Sequence, residues 1–280
     1  MPELPEVETV RRQLEARLLG ATIYRVTVWQ SDKERPQGEA FAEALRGKHL
    51  ISLERRGKLL LWRFSDGSAL AIHLKMTGKL IFYERRPMAP ANRHERLLFS
   101  FEKGSETIFL AWSDVRRFGY LRLLDAAATE AVLSEYGPEP LTATHEALVA
   151  RLAAPSGRTI KAILLDQSVI AGIGNIYADE ACFLSGIHPA RRQKSLAQAE
   201  LAALASAIQD ILARAVRQRG TSAHTYVDTE GKKGGFLRLL QVYGRHGQAC
   251  LRCEAPIRKC VLAGRGTHFC LSCQPRKGKR

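Results

Sequence analysis

The chain has 280 residues, enough for about two domains with cores of their own, and its 43 Lys and Arg against 28 Asp and Glu give a formal net charge of +15. An excess of that size points to a polyanionic partner, with nucleic acid ahead of an acidic membrane surface. No run of about 18 apolar residues is present and the amino terminus lacks the apolar stretch of a signal peptide, so no membrane association and a cytoplasmic, nucleoid-associated location are expected.

The chain opens Met-Pro-Glu-Leu-Pro-Glu-Val-Glu. Removal of Met1 would leave Pro2 as a terminal secondary amine. An α-amino group titrates at about 7.7–8.0 against about 10.4 for lysine, so its neutral fraction near pH 7 is roughly two orders of magnitude larger. That makes it the better nucleophile toward a carbonyl-like carbon, giving an iminium without a cofactor. Glu3 and Glu6 offer carboxylates beside it. The same residues also suit a plain helix entry, with proline and acids at the positive end of the dipole, and the octapeptide alone leaves both readings open. Val7, Val10, Leu14 and Leu18 then recur at helical spacing, with Glu8–Arg12 and Arg11–Glu15 as i,i+4 pairs and Gly20 as a stop.

Residues 21–124 read as strands. Val26 and Val28 alternate with polar neighbours, Asp66-Gly67 marks a hairpin, and the runs 59–64, 69–74, 97–101 and 107–112 are rich in β-formers, which predicts a β-sandwich or flattened barrel. Within this region His73-Leu74-Lys75-Met76-Thr77-Gly78 and Asp114-Val115-Arg116-Arg117-Phe118-Gly119 each set a slender or flat apolar side chain beside cations at a strand end. Enzymes that work on a duplex base extrude it, and Met, Arg and Phe side chains can fill the vacated stack. Met76 or Phe118 taken alone reads more readily as core.

Residues 126–219 turn helical and alanine-rich, with Pro138, Pro140, Pro155 and Pro189 as breaks, helices over Ile160–Leu165 and about Asn175–Leu184, and a long amphipathic helix over 196–219 ending at Gly220. The turn Ile170-Ala171-Gly172-Ile173-Gly174 leads into a helix start whose free N–H groups suit a phosphate, although a simple helix–helix turn looks the same.

Six cysteines in a reducing compartment are not expected to form a disulfide frame. Cys250-x-x-Cys253 and Cys270-x-x-Cys273, separated by residues 254–269, instead have the spacing of one tetrahedral zinc site, closed by four thiolates and therefore structural. Cys260 is out of register and reads as a packed thiol, and Cys182 as core. Arg265 falls in the glycine-flanked loop 263–267, where a guanidinium can reach a phosphate or stay a solvated turn residue. Arg252, Arg258, Lys259, Arg265, Arg276, Lys277, Lys279 and Arg280 face a single acid, Glu254, in this last stretch, and the terminal residues 276–280 suit nonspecific attraction to phosphate.

Together MPELPEVETV, RRGKLLLW around Lys58, HLKMTG, DVRRFG, YGPEPL, AGIGNIYADEACF, LQVYGR and GRGTHFCLSCQ, in that order between Met1 and Gln274, resemble the formamidopyrimidine-DNA glycosylase family. The resemblance implies an α+β multidomain fold. Its parts are an N-terminal catalytic β-sandwich domain with a leading helix over 1–128, a helical helix–two-turn–helix DNA-binding domain over 129–236, and a four-cysteine zinc-finger β-hairpin with a basic tail over 237–280. It further implies a monomeric base-excision repair enzyme acting on damaged double-stranded DNA, a glycosylase and abasic-site lyase that removes oxidised purines such as 8-oxoguanine and formamidopyrimidines and cuts by β,δ-elimination.

By the same resemblance, Pro2 attacks the anomeric carbon to form a Schiff base, Glu3 protonates the opening sugar ring, and Glu6 holds water or the ribose. Lys58 contacts the flanking phosphate and assists β-elimination, and Arg265 assists the δ step. Met76, Arg116 and Phe118 look like the void-filling trio. His94, Lys161, Asn175 and Tyr243 match or lie near the family's phosphate contacts, and Arg158, in a weakly matched stretch, is a candidate for another. The segment 231–236 lacks an expected proline near Lys233 and often a larger residue at Gly235, which bears on lesion preference. Leu4 and the DVRRFG block argue against an endonuclease VIII-like enzyme for oxidised pyrimidines. Intact Pro2, Glu3 and Lys58 argue against a damage-binding protein that does not cut, or a zinc-ribbon RNA binder.

Overall fold

In the computed structural model, which describes residues 1–30, 38–223 and 225–276, the chain begins with helix α1 (Leu4–Leu18). Lys277, Lys279 and Arg280 of the basic tail lie outside the described residues. Glu3 is the N-cap, and its backbone N–H donates to Glu6 Oε2 at 2.7 Å within a capping box that satisfies donors a helix start leaves open. Val7, Val10, Leu14 and Leu18 share one face and are buried, as their spacing predicts.

The strands that follow are β1 (Thr22–Val28), β2 (Leu50–Arg56), β3 (Leu59–Phe64), β4 (Ala69–His73), β5 (Gly78–Tyr83), β6 (Glu95–Lys103), β7 (Glu106–Asp114) and β8 (Tyr120–Leu124). They pair antiparallel in two four-stranded sheets, ordered β1-β6-β7-β5 and β2-β3-β4-β8. One stretch departs from the strand reading of 21–124: Glu39–Leu45 forms a helix, α2, because Glu, Ala and Leu favour helix and seven residues are too few to display a period. The enclosed core joins the apolar face of α1 to residues of both sheets, with Trp62 edge-on to Phe99 and Phe101 at centroid distances of 5.4 and 5.8 Å.

Two of the connections that cross from sheet to sheet carry the motifs noted in the sequence. β4 ends at His73 in one sheet and β5 starts at Gly78 in the other, while β7 ends at Asp114 and β8 starts at Tyr120. The register sets Gly78 opposite Asp114 and His73 opposite Tyr120. The motifs 73–78 and 114–119 thus become neighbouring corners of the sandwich, although 36 or more positions part them in sequence.

The chain forms two compact units, Met1–Ser134 with Gln218–Gly235, and Glu135–Arg217 with Phe236–Arg280. This groups the segments differently from the three-domain expectation. Helix α3 (Ala126–Ser134) stays with the sandwich, and Gln218–Gly235 folds there too: Thr229 Oγ1 and N–H donate to Gln13 Oε1 at 2.9 and 3.1 Å. In the second unit lie α4 (His145–Ala153), α5 (Ile160–Leu165), α6 (Asn175–Leu184) and α7 (Gln198–Arg217). Thr144 and Thr159 cap α4 and α5 through their hydroxyls, at 3.2 and 3.3 Å from Ala147 N and Ala162 N. α7 stops at Arg217, short of the expected Gly220, because Arg219 and Gly220 both take positive φ, 61° and 81°. A hairpin of β9 (Arg258–Leu262) and β10 (Arg265–Phe269) follows, turning on Ala263 and Gly264 at φ 48° and 69°, as a type I′ turn requires. Arg265 therefore opens a strand; it is not in the loop proper.

Gly220, at φ 81°, lies against α1, where an added Cβ would come within 2.6 Å of Glu6 Oε1, whereas Gly20 has a similar φ of 78° and open space around it. Gly220→Ala is expected to cost about 3 kcal/mol and Gly20→Ala about 1 kcal/mol in equilibrium denaturation, since only the first adds a collision to the backbone strain. Equal losses at the two positions would refute the close-approach account.

Candidate functional site

The amino terminus sits among charges. With Met1 in place the Pro2 nitrogen is a tertiary amide, and the free α-amino group is that of Met1. Burial pushes this amine below its ordinary range; the Glu3 and Glu6 carboxylates pull it up, and Lys58 and Arg116 push it down again. Glu3, Glu6 and Lys58 are each at most 5 % exposed. The fold thus brings Pro2, Glu3, Glu6, Lys58 and Arg116 of the sequence expectation together.

Glu6 is fixed twice. Its Oε2 accepts from Glu3 N–H, and its Oε1 accepts from Thr221 N–H at 2.6 Å. Donors on both oxygens fix the orientation of the carboxyl group. Lys58 follows Gly57, at φ 57°, in the turn between β2 and β3. That turn is tied back to α1: Arg55 Nη1 donates to Gly57 O at 2.9 Å and Arg55 Nε to Glu8 Oε2 at 3.0 Å. Glu8 also accepts from Arg11 at 3.1 Å and from Arg12 at 2.7 Å. Burial alone would raise the Glu8 carboxyl, but the hydrogen bonds from these arginines outweigh it and hold it at about 2. His73 goes the other way. Burial, with Lys75 and Lys58 nearby, lowers it to about 3, so the ring is neutral at physiological pH and its Nδ1 accepts from Lys75 N–H at 3.0 Å.

At the sandwich corners Met76 is half-buried, while Arg116 and Phe118 are exposed, the guanidinium stacked 4.6 Å above the Phe118 ring. His94 is half-buried and joins this corner through its carbonyl, which accepts from Asp114 N–H at 3.0 Å.

In the second unit the expected residues gather around α6. Asn175 Nδ2 donates to Gly266 O at 2.9 Å, beside the exposed Arg265. The Tyr243 ring meets His268 edge-on at 5.2 Å, and its N–H donates to Glu180 Oε1 at 2.8 Å. Arg158 is exposed and its guanidinium binds Asp166 at 2.8 Å and Ala162 O at 3.0 Å. Lys161 requires a correction. It is fully buried, its ammonium paired with Asp179 and donating to Asn175 O at 3.1 Å, so it braces α6 and cannot reach a phosphate directly.

The thiols of Cys250, Cys253, Cys270 and Cys273 lie within 4.8 Å of one another, with Cys250–Cys273 at 3.9 Å and Cys253–Cys270 at 3.4 Å. Ligands about 2.3 Å from a tetrahedral zinc stand about 3.8 Å apart, so the cluster has the dimensions of such a site. Cys260 is outside it, and Cys182 is buried in α6 with its thiol pushed up to about 12 by burial.

Sequence reading missed Glu8 with Arg55, Thr77 with Asp114, and Asp179 with Glu180. All but Arg55 are short acidic or hydroxyl residues inside or beside motifs already marked, and each acts through partners distant in sequence, so spacing carries no signal for them.

Three family models match in order: the formamidopyrimidine-DNA glycosylase N-terminal domain over residues 1–121, the H2TH domain of that enzyme over 136–227, and a zinc finger found in that enzyme and in isoleucyl-tRNA synthetase over 247–276. A formamidopyrimidine-DNA glycosylase of Geobacillus kaustophilus is 43 % identical over 98 % of this chain and 100 % of its own. One of Symbiobacterium thermophilum is 45 % identical over 98 % and 90 %. Among solved structures, the Lactococcus lactis protein in complex with DNA containing an abasic site aligns at TM-score 0.86 and 36 % identity, over 98 % of this chain and 99 % of that one.

A Glu8 carboxyl held at about 2 against an ordinary 4.5 adds stability above pH 4.5 that is lost as the pH falls toward 2. Glu8→Gln is expected to lower stability at pH 7 by about 1–2 kcal/mol, discounted for solvent screening, and to flatten the stability profile in that acid window. Denaturant titrations of both proteins between pH 2 and 7 check this; parallel profiles would contradict it.

Proposed function

The chain belongs to the formamidopyrimidine-DNA glycosylase family, and on that footing we propose that it is a bifunctional glycosylase and abasic-site lyase of base-excision repair, acting on oxidised purines in duplex DNA as a monomer. One observation carries the reading: the amine at the chain terminus, here that of Met1, is partly buried beside Glu3, Glu6, Lys58 and Arg116. A niche that disfavours the ammonium raises the fraction of amine able to attack carbon.

Once Met1 is removed, the Pro2 nitrogen attacks C1′ of the damaged nucleotide. The glycosidic electron pair leaves with the base, which takes up a proton, and Glu3 protonates the ring oxygen as the sugar opens. The product is an iminium between Pro2 and C1′. It acidifies the C2′–H bond; loss of that proton expels the 3′ phosphate, and a second elimination expels the 5′ phosphate. Water then hydrolyses the remaining iminium and frees Pro2. Lys58 stabilises the departing phosphate as a cation held by the Arg55-braced turn. Arg265 assists the second elimination, and Glu6, both oxygens engaged, orients the first turn and the ribose. Met76, Arg116 and Phe118 fill the emptied stack, with His94, Asn175, Tyr243 and Arg158 assigned to phosphates. The four cysteines would hold one structural Zn2+, which would supply no reaction chemistry and would fix the knuckles that bear β9 and β10.

Borohydride is expected to trap a covalent adduct between the processed protein and a duplex carrying 8-oxoguanine, with Pro2→Gly giving at least about a hundredfold less. A variant that retains Met1 yet is trapped equally well would sink the assignment of the nucleophile. Elemental analysis should find about one zinc per chain, lost from Cys270→Ser together with thermal stability. A folded, zinc-free wild type would remove the metal from the account.

A further inference from the structure

We propose that Thr77 and Asp114 are positioning residues: they bind the two inter-sheet corners into one block, so that Met76, Arg116 and Phe118 act as a preformed wedge. The inference rests on the glycosylase reading and adds to it the groups that hold the wedge ready.

The Asp114 carboxylate is 1 % exposed and spans both corners. Its Oδ1 accepts from the Thr77 hydroxyl and from Arg116 N–H at 3.2 Å, and its Oδ2 accepts from Gly119 N–H at 2.7 Å. Arg116 N–H is also 2.9 Å from Thr77 Oγ1. The N–H of Asp114 donates to His94 O, which draws a third loop to the same point. Thr77 is thus a side chain through which the Met76 corner reaches the carboxylate that orders the Arg116–Phe118 corner.

Both corners hold strained backbone at the functional positions. Lys75, just before Met76, has φ 49°, and Arg117, between Arg116 and Phe118, has φ 59°. A left-handed conformation at such residues costs about 1 kcal/mol or more each and persists only where neighbouring groups enforce it. The base of the block is packed tight. A Cβ on Gly78 would come 2.6 Å from Leu74 O and from the Trp112 ring, and one on Gly119 would come 2.7 Å from Trp112 and 2.9 Å from Asp114 Oδ2.

A wedge must replace stacking lost when a nucleotide leaves the helix, and a loose wedge would first have to be ordered. Charge-assisted hydrogen bonds buried at its root supply that order in advance. The network therefore bears on substrates that still have a stack to fill, and not on the chemistry at C1′.

The test compares the processed wild type with Thr77→Val and Thr77→Ser on two substrates: a duplex carrying 8-oxoguanine opposite cytosine, and a single-stranded oligonucleotide carrying an abasic site. Asp114→Ala would leave several buried N–H groups unpaired and endanger folding, so the near-isosteric Thr77→Val carries the comparison. Thr77→Val is expected to lower kcat/KM on the duplex about tenfold or more while single-strand cleavage stays within about twofold, and Thr77→Ser to recover the duplex rate to within about threefold. A wild-type duplex rate in Thr77→Val, equal losses on both substrates, or no recovery in Thr77→Ser would each overturn the proposal. Failure of the wild type itself to give a borohydride-trapped adduct on either substrate would instead overturn the glycosylase reading.

Discussion

The Glu6 carboxylate is the constraint on which the first unit depends. One oxygen closes the capping box of α1 and the other accepts from Thr221, more than two hundred residues further along the chain. A helix start normally frays, because its first N–H groups have no intrahelical partner. Here the first turn is fixed from inside and from outside, and Gly220 makes the fit possible by having no side chain. The residues that precede the turn inherit that order. A terminal amine is useful as a nucleophile only if its position is defined, and chain termini are ordinarily the least ordered part of a fold. The acid that stabilises the helix also ties the residues just before it.

Burial of charge then follows a consistent logic. Each buried charge whose contacts are resolved has a partner on another element. Glu8 is held by three arginines, one of which, Arg55, transmits the restraint to the turn of Lys58. Lys161 is paired with Asp179, which also accepts from His268 N–H at 2.8 Å. Glu180 receives the N–H groups of Gln241, Val242 and Tyr243 at 2.8–2.9 Å, although burial raises its carboxyl. Such groups contribute little net stability compared with apolar packing, and their breakage is costly, so their value lies in fixing one arrangement. His73 follows the same logic from the other side: buried and beside the cations Lys75 and Lys58, it stays neutral.

Much of this was legible in the sequence, because the signals were local. The face of α1, the cores of β3, β4, β6 and β7, and the bounds of α5 and α6 follow from periodicity over a few turns or a few residue pairs. The cysteine pairs converge as their spacing predicts. What escaped was non-local or too short. α2 has too few residues to show a period, α7 ends where two positive φ values break it, and Lys161 looks like any helical lysine until Asp179 is found beneath it. The partnership of Thr77 and Asp114 depends on strand register between β5 and β7, which no motif encodes.

The last stretch of the chain shows why a metal site belongs in this fold. Among the described residues its apolar interior is small: Phe183 from α6 packs with Val242, Cys250, Ile257 and Cys270, and Phe269 lies against His188, while Leu251, Val261 and Leu271 remain exposed. So small a core cannot order a hairpin and two knuckles by burial alone, and segments of this size usually need a cross-link or a metal. Four cysteines at tetrahedral spacing have the dimensions to supply the missing restraint at one end through a metal, and α6 supplies it at the other, where Asn175 donates to Gly266 O and Asp179 accepts from His268 N–H. Arg265 stands at the head of β10 beyond both anchors, free to project and fixed at its base. An arginine so placed can meet a phosphate without first having to order the strand that carries it.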